Sequence, residues 1–177
     1  AKALTVKKII HAVCDADSPF KEEGKHLLID EFGKQYGTYF SILDAISNGI
    51  NTQGEIGAAL GDMSIGGQLK KLEETYELIR KVRPILAKKG TQTVRYEISD
   101  LFLNFWFRYL EGNRTLIEMN QFEVLEKVIA SDYTTYSGKV LEKYFKQQFM
   151  ESHEYRDMGS YWEAKKGKEQ CEIDIVA

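Results

Sequence analysis

One stretch, residues 37–100, changes its hydrophobic period part-way, and this change restricts the possible folds more than any other feature of the sequence. Its first half repeats apolar residues at the three- and four-residue spacing of amphipathic helices. Its last segment, Val94-Arg95-Tyr96-Glu97-Ile98, alternates apolar and polar residues as a half-buried strand does. The stretch is therefore predicted to begin with helices and to end with a hairpin.

Three short helices are predicted in the first half. Residues 39–46 form the first, which ends at Ser47-Asn48-Gly49. Thr52 followed by Glu55 is a capping box that starts the second helix. Ser64 can cap the third. The inward face of the third helix is predicted to be Ile65, Leu69 and Leu72. Residues 78–85 and 94–98 are the predicted strands, and three helices followed by a hairpin form a winged helix-turn-helix.

Positive charge is concentrated on the predicted third helix and wing. Residues 64–95 include eight basic and three acidic residues, a local balance of +5 in a chain whose net charge is -3. A winged helix lays its third helix in the major groove and its wing along the backbone, where lysine and arginine displace counterions from phosphates. Double-stranded DNA is therefore the predicted partner. The predicted contacts are Lys70, Lys71, Arg80, Lys88, Lys89 and Arg95.

A second interpretation of the same stretch is a protein-interaction or self-association module that does not bind nucleic acid. A positive face can be only a solvated face, and winged helices also serve as scaffolds for proteins. The paired glycines Gly66 and Gly67 fit both interpretations. Each weakens a helix by roughly 1 kcal/mol relative to alanine, but a bare backbone can come close to a phosphate.

The composition is that of a globular chain outside the membrane. Of its 177 residues, 43% are hydrophobic and 29% are charged, which is enough apolar material for a core. No apolar run approaches the roughly 18 residues that span a bilayer. Cys14 and Cys171 are too few and too far apart in sequence for a disulfide framework or a zinc motif, so a reduced cytoplasm is the predicted compartment.

An aromatic helix is predicted after the winged segment. Residues 101–111 are apolar nearly all round, so this helix must be buried on most sides. We expect it to lie as a hinge between the winged lobe and a C-terminal lobe, with Phe102 and Trp106 largely buried. Two further helices, residues 3–13 and 20–32, are predicted to lead into the winged segment.

The C-terminal part is predicted to contain two helices and two strands. Residues 122–129 form an amphipathic segment, and residues 134–151 form a longer helix bordered by Glu142. The inward residues of the longer helix are predicted to be Val140, Leu141, Tyr144, Phe145 and Phe149. Strands are predicted at residues 155–163 and 171–176. Glu172 and Asp174 share one face of the second strand, roughly 7 Å apart, where a hard cation such as Mg²⁺ is a suitable guest.

The order of these parts resembles the C-terminal half of the archaeal-type AAA+ ATPases of archaea and anaerobic bacteria. Three segments carry the resemblance: Tyr39-Phe40-Ser41-Ile42-Leu43-Asp44-Ala45-Ile46, then Ser99-Asp100-Leu101-Phe102-Leu103-Asn104-Phe105-Trp106-Phe107-Arg108-Tyr109, then Glu172-Ile173-Asp174-Ile175-Val176-Ala177. In that family a P-loop ATPase domain precedes lid helices, a winged helix and a domain similar to PD-(D/E)XK nucleases. The resemblance implies a lid remnant at residues 1–35, a winged helix at 36–100 and a nuclease-like lobe at 101–177.

The resemblance also implies a metal site that the chain does not complete. A helix glutamate and a strand aspartate hold the metal in such nucleases, and Glu142 and Asp174 match these positions, with Glu172 beside them. The Glu-x-Lys strand that follows in the family is missing before Ala177, so the lobe is expected to be cut short and to bind Mg²⁺ weakly. No G-x-x-x-x-G-K-[ST] motif occurs in the sequence, so ATP would bind outside this segment. The predicted class is mostly α with small β elements, and the predicted function is a DNA-binding regulatory segment of a P-loop ATPase.

Overall fold

The computed structural model describes residues 5–15, 17–33, 36–87, 94–163 and 171–177. Most of these residues are helical, and two small antiparallel sheets complete the fold, so the predicted class is confirmed. The helices are α1 (Val6–Cys14), α2 (Phe20–Phe32), α3 (Tyr36–Ser47), α4 (Gln53–Ala59), α5 (Gly66–Glu74), α6 (Leu101–Phe105), α7 (Arg114–Glu118) and α8 (Phe122–Ser152). The strands are β1 (Ile79–Val82), β2 (Arg95–Ile98), β3 (Gly159–Trp162) and β4 (Glu172–Val176).

Helices α3 to α5 and the hairpin β1–β2 occur in the order predicted for a winged helix. Thr52 caps α4 as predicted, because the amide of Glu55 donates to Thr52 Oγ1 at 3.3 Å. The Glu55 carboxylate turns back to the cap and accepts from the Thr52 hydroxyl at 2.8 Å. The predicted Ser64 cap is wrong. Helix α5 is preceded by Ile65, whose side chain has no polar atom to offer the helix amides. Strand β1 ends at Val82, earlier than predicted, because Pro84 cannot donate a hydrogen bond to a continuing ladder.

One hydrophobic core joins the lead-in helices, the winged segment and the first turns of α8. Its inward residues from the winged segment include the predicted trio Ile65, Leu69 and Leu72, all at most 1% exposed. Leu28 and Phe32 of α2 lie in the same cluster, as do Leu125 and Ile129 of α8. The lead-in helices therefore belong to the same packed body as the winged helix.

The aromatic helix contributes the largest buried side chain of this core. Helix α6 continues into a π-helical turn (Trp106–Leu110), and Trp106 is fully buried there. Its indole Nε1 donates to the carbonyl of Lys21 at 3.0 Å, and its ring lies against the backbone of Gly24. A Cβ added at Gly24 would come within 2.3 Å of Trp106 Cδ2. The glycine is therefore required for the close approach of α2 to the indole.

Phe102, the other residue predicted to be largely buried, is partly buried against the core. Its ring centroid lies 6.1 Å from that of Phe20 on α2. The aromatic helix contacts α2, α3, β2 and α8. It thus packs chiefly on the lead-in helices and on the elements of residues 36–100.

An ion-pair network fixes the π-helical turn to its neighbours. Arg108 donates to both oxygens of Asp132 on α8, at 2.6 and 3.1 Å, and to the carbonyl of Ser47 at 2.8 Å. The Tyr109 hydroxyl donates to the same Asp132 carboxylate at 2.7 Å. Asp132 accepts three bonds from one turn of chain and so orients α8 relative to α3.

Helix α8 is a single helix of 31 residues where two segments were predicted. Its first turns are buried in the core, but its last turns carry exposed apolar side chains. Leu141, Tyr144, Phe145 and Phe149, all predicted to face inward, are 54%, 55%, 44% and 36% exposed. That prediction is wrong, because within the described ranges no element covers this face of α8.

The hairpin β3–β4 lies beside the wing. Its strands pair antiparallel, with Tyr161 opposite Ile173 and Trp162 opposite Glu172. One extra residue of β4 falls between the pairs Tyr161–Ile173 and Gly159–Val176, so the regular alternation assumed for Glu172 and Asp174 is interrupted. The amide of Ile85, just after β1, donates to the carbonyl of Ser160 at 2.7 Å. Nowhere in the described part of the chain is a helix both long enough and apolar enough to cross a membrane.

Candidate nucleic-acid interface

Helix α5 has one face in the core and the opposite face in solvent. The solvent face consists of Gly67, Lys70, Lys71 and Glu74, which share one side of the helix at its 3.6-residue period. Lys70 Nζ lies 3.7 Å from the Glu74 carboxylate, and both side chains are well exposed. An exposed pair of this kind is worth only about 0.3 to 0.5 kcal/mol, so both lysines are available to an anion. The structure therefore places two predicted DNA contacts, Lys70 and Lys71, side by side.

The predicted contacts on the wing are each held by a carboxylate. Arg80 donates to Glu97 across the β1–β2 pair at 2.9 Å. Arg95 donates to both oxygens of Glu172 on β4, at 2.5 and 3.4 Å. The Arg95 guanidinium also lies 4.5 Å above the ring of Trp162. Arg95 thus fastens the C-terminal hairpin to the wing. Lys88 and Lys89 lie outside the described residues.

Glu97 is the centre of a second set of charges between the wing and α8. Burial raises the pKa of the Glu97 carboxyl, but Lys143 and Arg80 outweigh this effect and bring the pKa below its usual value. Lys143 lies 3.7 Å from that carboxylate and donates to the carbonyl of Ile98 at 3.3 Å. Burial in turn lowers the pKa of Lys143. The side of the wing that carries Arg80 and Glu97 is therefore engaged with α8, whereas the outer face of α5 is open in the described part of the chain.

A groove of about 1240 Å³ runs between the helix-turn-helix, the wing and the C-terminal hairpin. Thr52 and Ser64 line one side, Arg83 borders the wing, and Trp162 lines the hairpin side. Four basic and four acidic side chains line it. The basic ones are Lys81, Arg83, Arg95 and Lys139, and the acidic ones are Glu55, Asp62, Glu163 and Glu172. Because the two signs balance, this groove attracts a polyanion less than the outer face of α5 does.

Two of the three acidic residues predicted to hold a metal, Glu142 and Glu172, have a cationic side chain close by. Glu142 accepts a hydrogen bond from Lys146, which also donates to Ser160 on β3. Glu172 accepts from Arg95, and Asp174 is exposed on β4. In the described ranges no three histidine, cysteine, aspartate or glutamate side chains come close enough to hold a metal ion. The geometry of Glu142 and Glu172 does not fit Mg²⁺ binding, because lysine and arginine occupy the carboxylate oxygens that a cation needs.

The partners in two ion pairs of this region could not be identified from the sequence. Arg95 and Glu172 are 77 residues apart, and neither has a pattern that points to the other. The same holds for Arg108 and Asp132, which were not predicted to interact and which lie in different helical segments. The stripe of Asn104, Arg108 and Glu111 on an otherwise apolar helix was the available hint, because a charge on a buried helix needs a partner.

Comparison with known proteins gives two similarities. Residues 106–177 match the DUF234 family, described as archaeal and bacterial proteins of unknown function. These residues begin at the π-helical turn and include α8 and the hairpin β3–β4. Over 170 residues the chain is 34% identical to an uncharacterized protein of Methanocaldococcus jannaschii, MJECL04.

The similarity to the Methanocaldococcus protein covers 91% of this chain but 37% of that protein. The chain thus spans little more than a third of the length of the relative it matches. No solved structure matches the chain. The similarity to archaeal and bacterial proteins includes both the winged segment, through MJECL04, and the C-terminal lobe, through the DUF234 match.

Proposed function

We propose that this chain is a duplex-DNA-binding regulatory segment of a larger P-loop ATPase, and that its C-terminal lobe is not an active nuclease. One observation carries the DNA-binding part. Helix α5 buries Leu69 and Leu72 in the winged core while it presents Lys70 and Lys71 together on its open face. This is the orientation in which a recognition helix enters the major groove.

The energetics of the charged pairs favour the same surface. Exposed ion pairs are worth about 0 to 1 kcal/mol, and a phosphate can replace the carboxylate in such a pair at little cost. The pair Lys70–Glu74 belongs to this class, because its side chains are 70% and 59% exposed. Arg80 pairs instead with Glu97, whose side chain is only 33% exposed and also faces Lys143, so it is less available to a phosphate. Arg95 is only 24% exposed and makes a two-point contact, so it contributes less to DNA binding than its position on the wing suggests.

The ATPase part of the proposal rests on the order of motifs and on chain length. The winged segment, the aromatic helix and the Glu-x-Asp strand follow one another as in archaeal-type AAA+ proteins, and the matched relative is longer than this chain. The sequence has no P-loop motif, so ATP would be bound by another part of the protein. In this arrangement the winged segment couples DNA contact to the ATPase.

A second candidate function is protein interaction or self-association, and one observation favours it. The rings of Tyr144, Phe145, Phe149 and Tyr155 form a continuous exposed series along the end of α8. Neighbouring centroids are 5.7, 6.4 and 5.8 Å apart. Contiguous exposed aromatic side chains mark surfaces where a polypeptide packs. This surface lies on the last turns of α8, not on α5.

Replacing Lys70 and Lys71 together with alanine tests the DNA-binding proposal. Each lost phosphate contact should reduce the magnitude of the slope of log affinity against log salt concentration by about 1, so the double variant should show a slope smaller in magnitude by about 2. It should also bind duplex DNA much more weakly than the parent. Fluorescence anisotropy with a labelled duplex at several salt concentrations measures this. The matched control replaces Lys7 and Lys8, two adjacent exposed lysines on α1. If the Lys70/Lys71 variant binds as the parent does, α5 is not the interface.

No DNA cleavage is expected from this chain in the presence of Mg²⁺ or Mn²⁺. Phosphodiester hydrolysis at such a site needs carboxylates that fix the metal and a positioned cation or base. Glu142 and Glu172 are held by Lys146 and Arg95 instead. Incubation of the purified protein with plasmid DNA and Mn²⁺ measures the activity, and Asp174→Ala identifies contaminating nuclease. Cleavage that is lost in Asp174→Ala would contradict the prediction.

A further inference from the structure

We propose that the α5 interface binds duplex DNA without regard to base sequence, which makes its substrate the sugar-phosphate backbone of any B-form duplex. The inference rests on the proposed function and concerns the substrate class of the same surface. It follows from the residues of α5 and of the wing that the structure describes, namely from the side chains that they offer to a DNA groove and the base-reading side chains that they lack.

The first two residues of α5 have no side chain that could read a base. A recognition helix contacts base edges mainly through its N-terminal residues. In this chain those residues are Gly66 and Gly67, followed by a half-buried Gln68. The two positions that begin the helix are therefore bare backbone, and the side-chain amide of Gln68, a group of the kind that reads adenine, is partly withdrawn from solvent.

Crowding does not explain the two glycines. A Cβ added at Gly67 would meet no atom within 4 Å, and one at Gly66 would meet only Gln53 Nε2, at 3.4 Å. Both residues lie in an ordinary right-handed helix and have no positive φ. Side chains would fit at both positions. The absence of side chains at these two positions is therefore not imposed by packing. Its effect is that the helix backbone can lie close to a group, such as a phosphate, that contacts the start of α5.

The charged residues of the open face contact phosphates better than they read bases. Lys70 and Lys71 are compact charges on flexible stems, with no planar fork that matches the edge of one base. Lys70 also lies beside Glu74, which repels phosphate and would keep the helix shallow. Phosphate contacts fix the position of a protein on a duplex but carry no sequence information.

The two wing arginines with the geometry for base reading are already engaged. A guanine is recognised when both nitrogens of an arginine fork face its edge. The forks of Arg80 and Arg95 face Glu97 and Glu172. Arg83, which follows β1, is exposed and carries the same guanidinium fork. It is therefore the residue to substitute when testing whether the wing reads a base.

The test compares the affinities of the whole chain for duplexes of equal length but different sequence. A GC-rich, an AT-rich and a mixed duplex are titrated by anisotropy at about 50 mM and about 200 mM salt. We expect the three affinities to agree within about threefold at each salt concentration, with equal salt slopes, since one good base contact alone gives roughly ten- to a hundredfold discrimination. Selection from a random duplex library should enrich no motif.

Two variants sharpen the result. Gly67→Arg places a planar fork in the first turn of α5 and should create a preference for G-containing duplexes that the parent lacks. Arg83→Lys keeps the charge but removes the fork, and it should leave the relative affinities unchanged.

A tenfold or greater preference in the parent, or a preference that Arg83→Lys abolishes, overturns the inference while leaving DNA binding intact. Failure to bind any duplex at low salt overturns the proposed function and this inference with it.

Discussion

Replacing Trp106 with alanine is expected to lower the free energy of unfolding by about 3 to 5 kcal/mol, the cost of emptying a large buried site. The indole is fully buried, contacts the rings of Phe40 and Phe107, and donates to the carbonyl of Lys21. The variant therefore loses apolar burial and a hydrogen bond, and it leaves a cavity between α2 and α3. Urea unfolding followed by circular dichroism measures the change.

Two comparisons identify the cause of that loss. Phe102 lies on the same helix but is only partly buried, so Phe102→Ala should lower the free energy of unfolding clearly less than Trp106→Ala does. Gly24→Ala should destabilise the parent by about 1 to 3 kcal/mol, because its methyl group would overlap the indole. In a Trp106→Ala background the same methyl group has room, so the two changes should be strongly non-additive. Additive effects, or equal costs for Phe102 and Trp106, would contradict the packing described here.

Replacing Asp132 with alanine should lower the free energy of unfolding by about 2 to 4 kcal/mol. This is somewhat less than the loss of a fully buried ion-pair partner, because the Asp132 carboxylate is partly exposed. The substitution removes the acceptor of two bonds from Arg108 and one from Tyr109. The guanidinium would remain largely buried with only the Ser47 carbonyl to accept from it. Tyr109→Phe is the matched control. It removes one hydrogen bond and no charge, so it should cost only about 0.5 to 1.5 kcal/mol.

The same network predicts a dependence of stability on pH. The hydrogen bonds from Arg108, and secondarily that from Tyr109, hold the pKa of Asp132 below its usual value. A carboxyl whose pKa is depressed by folding stabilises the protein above its unfolded pKa, about 3.9, and this contribution is lost as the pH falls through the folded value. Asp132→Asn lacks the ionisable group. The stability gap between parent and Asp132→Asn should therefore narrow below about pH 4, and a gap that stays constant down to pH 2 would refute the assignment.

The helices and the hairpin of residues 37–100 could be predicted because the signals for them are local. A capping box, helical spacing and strict alternation each lie within a few residues of one another, and each reappears in the structure as Thr52–Glu55, the buried face of α5 and strand β2. The exact start of α5 was not predictable from Ser64, since a serine before a helix caps it only when its hydroxyl points at the free amides.

The C-terminal half was harder to predict because burial depends on neighbours that periodicity does not reveal. The apolar residues of α8 have helical spacing, yet the face that carries Tyr144 and Phe145 is exposed in the described structure. Likewise, the spacing of Glu172 and Asp174 suggested a metal site, whereas the structure shows Glu172 bound to Arg95. Of the candidate interface, Lys70 and Lys71 remain as predicted, exposed and adjacent on α5.

The contact between Arg95 and Glu172 has a thermodynamic consequence. One guanidinium fork cannot hold a carboxylate and a phosphate in the same positions, so an anion that binds β2 at Arg95 must displace Glu172. Displacement would free the start of β4 and unstack Trp162 from the arginine. By linkage the reverse also holds, and anything that draws Glu172 away from the wing raises the affinity of Arg95 for anions by the same factor. We therefore expect anion binding at Arg95 and the attachment of β4 to the wing to be linked through this contact, with Ile85 and Ser160 holding the other end of the hairpin in place.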